Sequence, residues 1–183
     1  MNTYGTSSLI MKWLLVVLAS CFLSCGYGFV HLQNALPGGI KRISIPTFQN
    51  HTHESGLENK FTSDLRNEFF KSKIIEVVSR DEAEAEIQGV ITAVSAESSA
   101  HSEKDLGGRA SILANQYNAK IEVSISLVRL SDKKVLWQRT LSDTRQYLTS
   151  EDILKNEAKQ EEAFNKISVY LMEQTHDLML EDF

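Results

Sequence analysis

Cysteine is nearly absent from this 183-residue chain. Its two copies, Cys21 and Cys25, lie in or just after an apolar N-terminal run, and none follows. That excludes a disulfide framework in the rest of the chain and any zinc site built on thiolates. Proline is as scarce, at Pro37 and Pro46 alone, and no stretch is long and featureless enough to be a linker. Internal repeats are missing too, which excludes a solenoid. Positive charge is not in excess: 19 Lys and Arg against 24 Asp and Glu give a formal −5, which argues against a general nucleic-acid binder. No glycine-rich phosphate loop, nucleophile elbow or Cys/His pair occurs. Enzymatic activity is therefore not expected, and neither is a cofactor.

What is present begins with an address. Lys12 precedes the apolar or small residues Trp13 to Leu23. A membrane span needs roughly 20 apolar residues, so this run is too short to cross and fits a cleaved signal peptide. Met1 and Met11 are both candidate starts. Two segments have the form of a lipobox, an aliphatic residue and two small ones before a cysteine that takes lipid. They are Leu18-Ala19-Ser20-Cys21 and Phe22-Leu23-Ser24-Cys25. The first fits the pattern better locally, the second allows a longer apolar region, and the local pattern leaves both open. Several acyl chains on such a cysteine, at about 0.8 kcal/mol per buried CH₂, would anchor the chain durably. Neither Gly26 nor Phe22, the residue that would follow the lipid, is the Asp that retains lipoproteins at the inner membrane. That favours the outer membrane.

Hydrophobic content of 42% is ordinary for a globular chain and suits one domain. Residues 25–39 read as an irregular tether with a Pro37-Gly38-Gly39 turn, and 40–183 as the domain. Alternation over 40–45 predicts a strand with Ile43 and Ile45 on one face and Arg42 and Ser44 on the other. Residues 47–54 read as polar loop. Ser55 with Glu58 has the spacing of a capping box, opening a helix whose stripe is Leu57, Phe61, Leu65 and Phe69. Short and long strands are expected at 74–78 and 85–96. Residues 97–111 have the composition of a loop. The strictest alternation, Ile121, Val123, Ile125 and Leu127 against Lys120, Glu122, Ser124 and Ser126, predicts a strand over 118–130. A turn at 131–134 returns the chain into a strand at 135–141. A last helix from about Glu151, capped by Ser150 or Thr149, carries Phe164, Ile167, Leu171 and Leu178, with Gln174 filling the gap. The order β-α-β-β-β-β-α predicts an α+β two-layer sandwich, two helices packed on one face of a mixed four- to five-stranded sheet.

Candidate chemistry is sparse. His51, His53 and Glu54 are metal-ligand types, but two histidines two positions apart in a loop, with His101 and His176 remote, make a solvated loop and no metal site. Asp81, Glu82, Glu84 and Glu86 are expected to form a solvated edge that discourages strand pairing. The basic candidates are Lys104 and Arg109 in the 97–111 loop and Lys133 and Lys134 at the turn. If strands 85–96 and 118–130 run antiparallel, the two pairs are separate patches at opposite ends.

Three segments carry a resemblance: Cys25-Gly26-Tyr27, Ile45-Pro46-Thr47-Phe48-Gln49-Asn50 before Gly56-Leu57-Glu58, and Asp81-Glu82-Ala83-Glu84-Ala85-Glu86-Ile87-Gln88-Gly89. Together they resemble the lipopolysaccharide-assembly lipoproteins of the LptE family, over residues 25–90 by motif and the rest by element order. The resemblance makes Cys25 the acylated position, ahead of Cys21, and residues 1–24 the signal. It implies an outer-membrane lipoprotein, with its domain on the periplasmic side or within a barrel. There it would act as plug and assembly factor of the LptD β-barrel and help bring lipopolysaccharide to the surface. Lys104, Arg109, Lys133 and Lys134 would then be candidate contacts to lipid phosphates. The alternative is a periplasm-facing lipoprotein that activates a peptidoglycan synthase or forms part of a secretion pore, since such lipoproteins share the strand end and the Asp/Ala-rich hairpin.

Overall fold

A computed structural model describes residues 35–98, 116–150 and 152–181. After one 3-10 turn at Pro37–Gly39, the chain forms β1 (Arg42–Ser44), β2 (Gln49–Asn50), α1 (Leu57–Ser72) and β3 (Glu76–Val77). It continues as β4 (Ala85–Ser98), β5 (Gln116–Arg129), β6 (Val135–Leu148) and α2 (Ile153–Glu181). The sheet runs β3-β1-β4-β5-β6, with β2 also paired to β4. Pairings among β1, β2, β3 and β4 are parallel, and β4-β5-β6 is an antiparallel meander. The expected order holds, with β2 as an addition inside the segment read as loop.

β1 and β2 are one strand interrupted. Ser44 pairs with Glu86 and Gln49 with Val90, so five steps along one strand face four along the other. Pro46 explains the break, because it has no N–H to give the ladder. Side chains of α1 satisfy the backbone groups left over. The Arg66 guanidinium donates to the Ile45 carbonyl, through Nε at 3.0 Å and through a terminal nitrogen as well. The Phe48 N–H donates to Thr62 Oγ1 at 2.9 Å. Phe48 then lies flat against Gly89, where a Cβ would stand 2.2 Å from its ring.

The inward row of β5 is as the alternation requires: Ile121, Val123, Ile125 and Leu127 are all 0% exposed. Leu57, Phe61, Leu65 and Phe69 of α1 belong to the same buried core, each burial worth roughly 1.5–3 kcal/mol. On α2 the buried stripe is wider than Phe164, Ile167 and Leu171; Leu178 is only half-buried, and Thr175 rather than Gln174 fills the middle. Ser168 Oγ donates to Asp64 at 2.7 Å, and Phe69 meets His176 edge-on at 5.0 Å. Residue numbers rise together along both helices, so they run in the same direction.

Several boundaries differ from expectation. α1 is capped by Gly56, at φ 92°, not by Ser55, while Glu58 supplies the other half of the box by accepting the Gly56 N–H. Asp152, not Ser150 or Thr149, accepts the Lys155 N–H at the start of α2. β6 continues seven residues past Leu141. Its inner positions there are Asp143 and Arg145, which pair at 2.8 Å, and charge at inward positions hides a strand from hydrophobic pattern.

Candidate functional site

The helices cover one face of the meander; alternation puts every second residue on the other. Across β5 and β6 that outer face pairs Ser126 with Gln138, Ser124 with Thr140, Glu122 with Ser142, Lys120 with Thr144, and Asn118 with Gln146. On the β4 side Gln88 and Val90 continue the rows of Ser126 and Ser124. Their side chains are exposed or half-buried. The face is thus a broad field of short hydroxyls and amides with one lysine and one carboxylate near its middle. Thr92 sits at the register shift of β4 and donates to the Glu122 carbonyl at 3.2 Å and carboxylate at 3.1 Å, which ties the irregularity down.

Lys133 and Lys134 are exposed at the β5–β6 turn. Lys133 takes φ 59° there. Asp132 shapes the turn by accepting the Lys134 N–H and the Arg129 guanidinium, each at 3.2 Å. The Lys134 N–H is the larger cause that holds the Asp132 carboxyl below its ordinary range, with Arg129 adding to it. Gly38 lies against Arg129 and Leu136, so the chain enters the domain at this same end. Lys104, Arg109, Cys21 and Cys25 lie outside the described residues. The strand ends nearest Lys104 and Arg109, Ser98 and Tyr117, pair at the opposite end from the lysine turn.

The acidic run does not form a solvated edge. Asp81 and Glu82 are exposed, but β4 is an interior strand, and this draws the next carboxylates in. Glu84 accepts the Lys41 N–H at 2.9 Å and the Arg42 N–H at 3.3 Å, and the first of these chiefly lowers its pKa. Glu86 is 3% exposed and is held by Gln88 at 2.8 Å and Arg80 at 3.3 Å. His51 and His53 are exposed, and among the described residues no three His, Cys, Asp or Glu side chains converge as metal ligands. No described helix is long and apolar enough to cross a membrane.

Sequence reasoning missed the far half of this face, because it ended β6 at Leu141. It also missed an apolar corner where β6 meets α2: Leu148, Ile153 and Leu154 are the most exposed large hydrophobic residues described. Their periodicity gave no signal, since they straddle a strand end and a helix start.

These features define a two-layer α+β domain with one face of its sheet covered by helices and the other polar. The same fold occurs in a Xanthomonas campestris protein of the DUF330 family, at 16% identity and TM-score 0.53, covering 80% of this chain and 87% of that one. It occurs also in a minor lipoprotein of Acinetobacter baumannii, at 11% identity and TM-score 0.50, covering 78% and 94%. No curated protein sequence matches the chain. Residues 40–179 match the lipopolysaccharide-assembly family LptE, and the chain belongs to that family. Its role is in lipopolysaccharide assembly.

Proposed function

We propose that the chain is an outer-membrane lipoprotein, acylated at Cys25, that plugs and helps to assemble the LptD β-barrel without catalysing a reaction. The observation that carries this reading is the outer face of β4-β5-β6. A strand surface of Ser124, Ser126, Gln138, Thr140, Ser142 and Thr144 gains little by burial against lipid. It does complement the polar interior of a transmembrane barrel, whose own strands alternate apolar-out and polar-in. The helices meanwhile bury the apolar face of the sheet internally. Lys133 and Lys134, unpaired to any acid among the described residues, remain candidates for lipid phosphates, with Lys104 and Arg109.

A mild-detergent pull-down of the full chain tests the reading. Recovery of a large barrel partner is expected, and Ser124→Arg with Thr140→Arg should abolish it while the variant stays folded. Recovery of a peptidoglycan synthase, or of a ring of identical subunits with no barrel, would replace this reading with the alternative. Lys133→Glu with Lys134→Glu should keep the barrel and lose lipopolysaccharide affinity; unchanged affinity would remove that turn from the lipid path.

A further inference from the structure

We propose that, away from any barrel, two copies of this chain pair edge to edge through β6, about a two-fold axis at Leu141. This goes beyond the barrel reading and does not rest on it, because the interface is the edge of the sheet and not its outer face. β6 is the last strand of the sheet, and no other described strand pairs with its far side. Two hydrogen bonds near its start show which backbone groups are left over. Arg129 N–H donates to the Lys134 carbonyl at 2.9 Å, on the β6 side, and Leu130 N–H to the Glu84 carbonyl at 3.0 Å, on the β4 side. Alternation from there turns the odd residues of β5 toward β6, where their register partners are Trp137, Arg139, Leu141, Asp143, Arg145 and Tyr147. The even residues from Gln138 to Gln146 therefore aim their N–H and C=O groups away from the sheet.

Such an edge is a template for another strand, and proteins usually blunt it with proline, a bulge, shortness or inward charge. β6 is 14 residues long and has no proline, and its register shift lies at its start, opposite Leu127 and Val128. Its inward charges Asp143 and Arg145 pair with each other at 2.8 Å. Nor does the helix layer overhang the edge. Arg139 is exposed, and Leu141, Asp143, Arg145 and Tyr147 are only half-buried.

The pattern along β6 selects a second copy as the occupant. Arg139 and Asp143 stand two residues either side of Leu141 and carry opposite charges, so a two-fold axis there sets each opposite the other. The same register places Leu141 against itself and lets Thr140 exchange backbone hydrogen bonds with the second copy's Ser142, and Gln138 with its Thr144. Moving the axis to Ser142 opposes Arg139 to Arg145, and moving it to Asp143 opposes that carboxylate to itself. Moving it to Thr140 leaves the charges opposite Leu141 and Trp137. Opposite charges across strands stabilise a pairing and like charges destabilise it, and of these registers only the axis at Leu141 matches unlike charges. The resulting interface is isologous and closes at two copies.

Sedimentation of the full chain in mild detergent, across the micromolar range, tests this. A monomer–dimer equilibrium is expected, and a chain that stays monomeric overturns the proposal. Arg139→Asp alone and Asp143→Arg alone should each weaken the dimer at least about tenfold, and the double exchange should restore it. The two positions lie roughly 13 Å apart along one strand, so recovery reports a contact between copies and not within one. Single variants without effect, or a double variant that recovers nothing, overturn the proposal. Thr140→Pro removes an outward N–H that β5 does not use, and should give a folded monomer; a folded dimer would put the contact elsewhere. If the chain stays monomeric and Arg139→Asp instead loses the barrel in the pull-down, the edge belongs to the barrel wall and the proposal falls. The barrel reading stands or falls separately, on whether the barrel is recovered at all.

Discussion

Asp64 of α1 accepts a hydrogen bond from Ser168 of α2 at 2.7 Å, in a contact where Ser168 is 0% exposed, and takes a second from Lys60 Nζ at 3.0 Å. A buried carboxylate on one helix is thus served by a hydroxyl on the other, and the pair fixes how the two helices register. Ser168→Ala removes the donor and leaves the carboxylate inside. The expected loss is about 1.5–3 kcal/mol, read by urea unfolding; a change below about 0.5 kcal/mol would mean that Lys60 alone satisfies Asp64.

Gly89→Ala puts a methyl 2.2 Å from the Phe48 ring. Phe48 is 3% exposed and its backbone is tied to Thr62, so the ring has little room to swing away. Overpacking of this kind costs about 1–3 kcal/mol. Combining it with Phe48→Leu should recover part of the loss, and a double variant no more stable than the Gly89→Ala single variant would show that the strain is in the backbone.

Val123→Asp places a carboxylate among Ile121, Ile125 and the helix stripe with no partner. The cost should be several kcal/mol, enough to unfold a marginal domain. An unchanged thermal midpoint would mean the register of β5 is off by one.

Glu84 governs part of the acid response. Its carboxyl is held below the ordinary value, chiefly by the Lys41 N–H, so its contribution is complete above that value and is lost as pH falls through the folded-state pKa. Stability should therefore decline on acidification below about pH 4.3. Glu84→Gln should make that decline shallower, leaving the share due to Glu58, Asp132 and Glu162, whose pKa values are lowered as well. An equal loss of stability from neutral to acidic pH in Glu84→Gln and in the unsubstituted chain, measured by chemical denaturation, would rule Glu84 out.

The parts of the fold legible beforehand were those where burial and period agree. Strict alternation located β5, and a four-residue stripe located α1, because each element turns one face to a single core. Legibility ended where tertiary context decided. Gly56 displaced Ser55 because the loop enters α1 through the left-handed region, where glycine is favoured. Glu86 looked like solvated surface because nothing local says that β1 will flank it and Arg80 will cover it. The polar outer face was half visible in Lys120, Glu122, Ser124 and Ser126. Its remainder depended on the length of β6, concealed by Asp143 and by Arg145, which lies over the Tyr170 ring at 5.1 Å.

The interruption at Pro46 also sets an order of assembly. Within the meander β5 and β6 are joined by residues 130–134 and β4 and β5 by residues 99–115, whereas Ile43 must find Ala85, 42 positions away (85 minus 43), and Ile45 and Phe48 find backbone partners only once α1 lies beside them. Local pairings close sooner because less chain entropy is lost in bringing the ends together. The first part of the domain to be synthesised is thus expected to be the last to become native. Pulse-labelled hydrogen exchange should show protection in 116–129 before 42–50, and simultaneous protection would mean the two halves nucleate together. Under the export and acylation proposed above, such a chain would reach its membrane with its first strands still unpaired, free to settle only after the sheet behind them has formed.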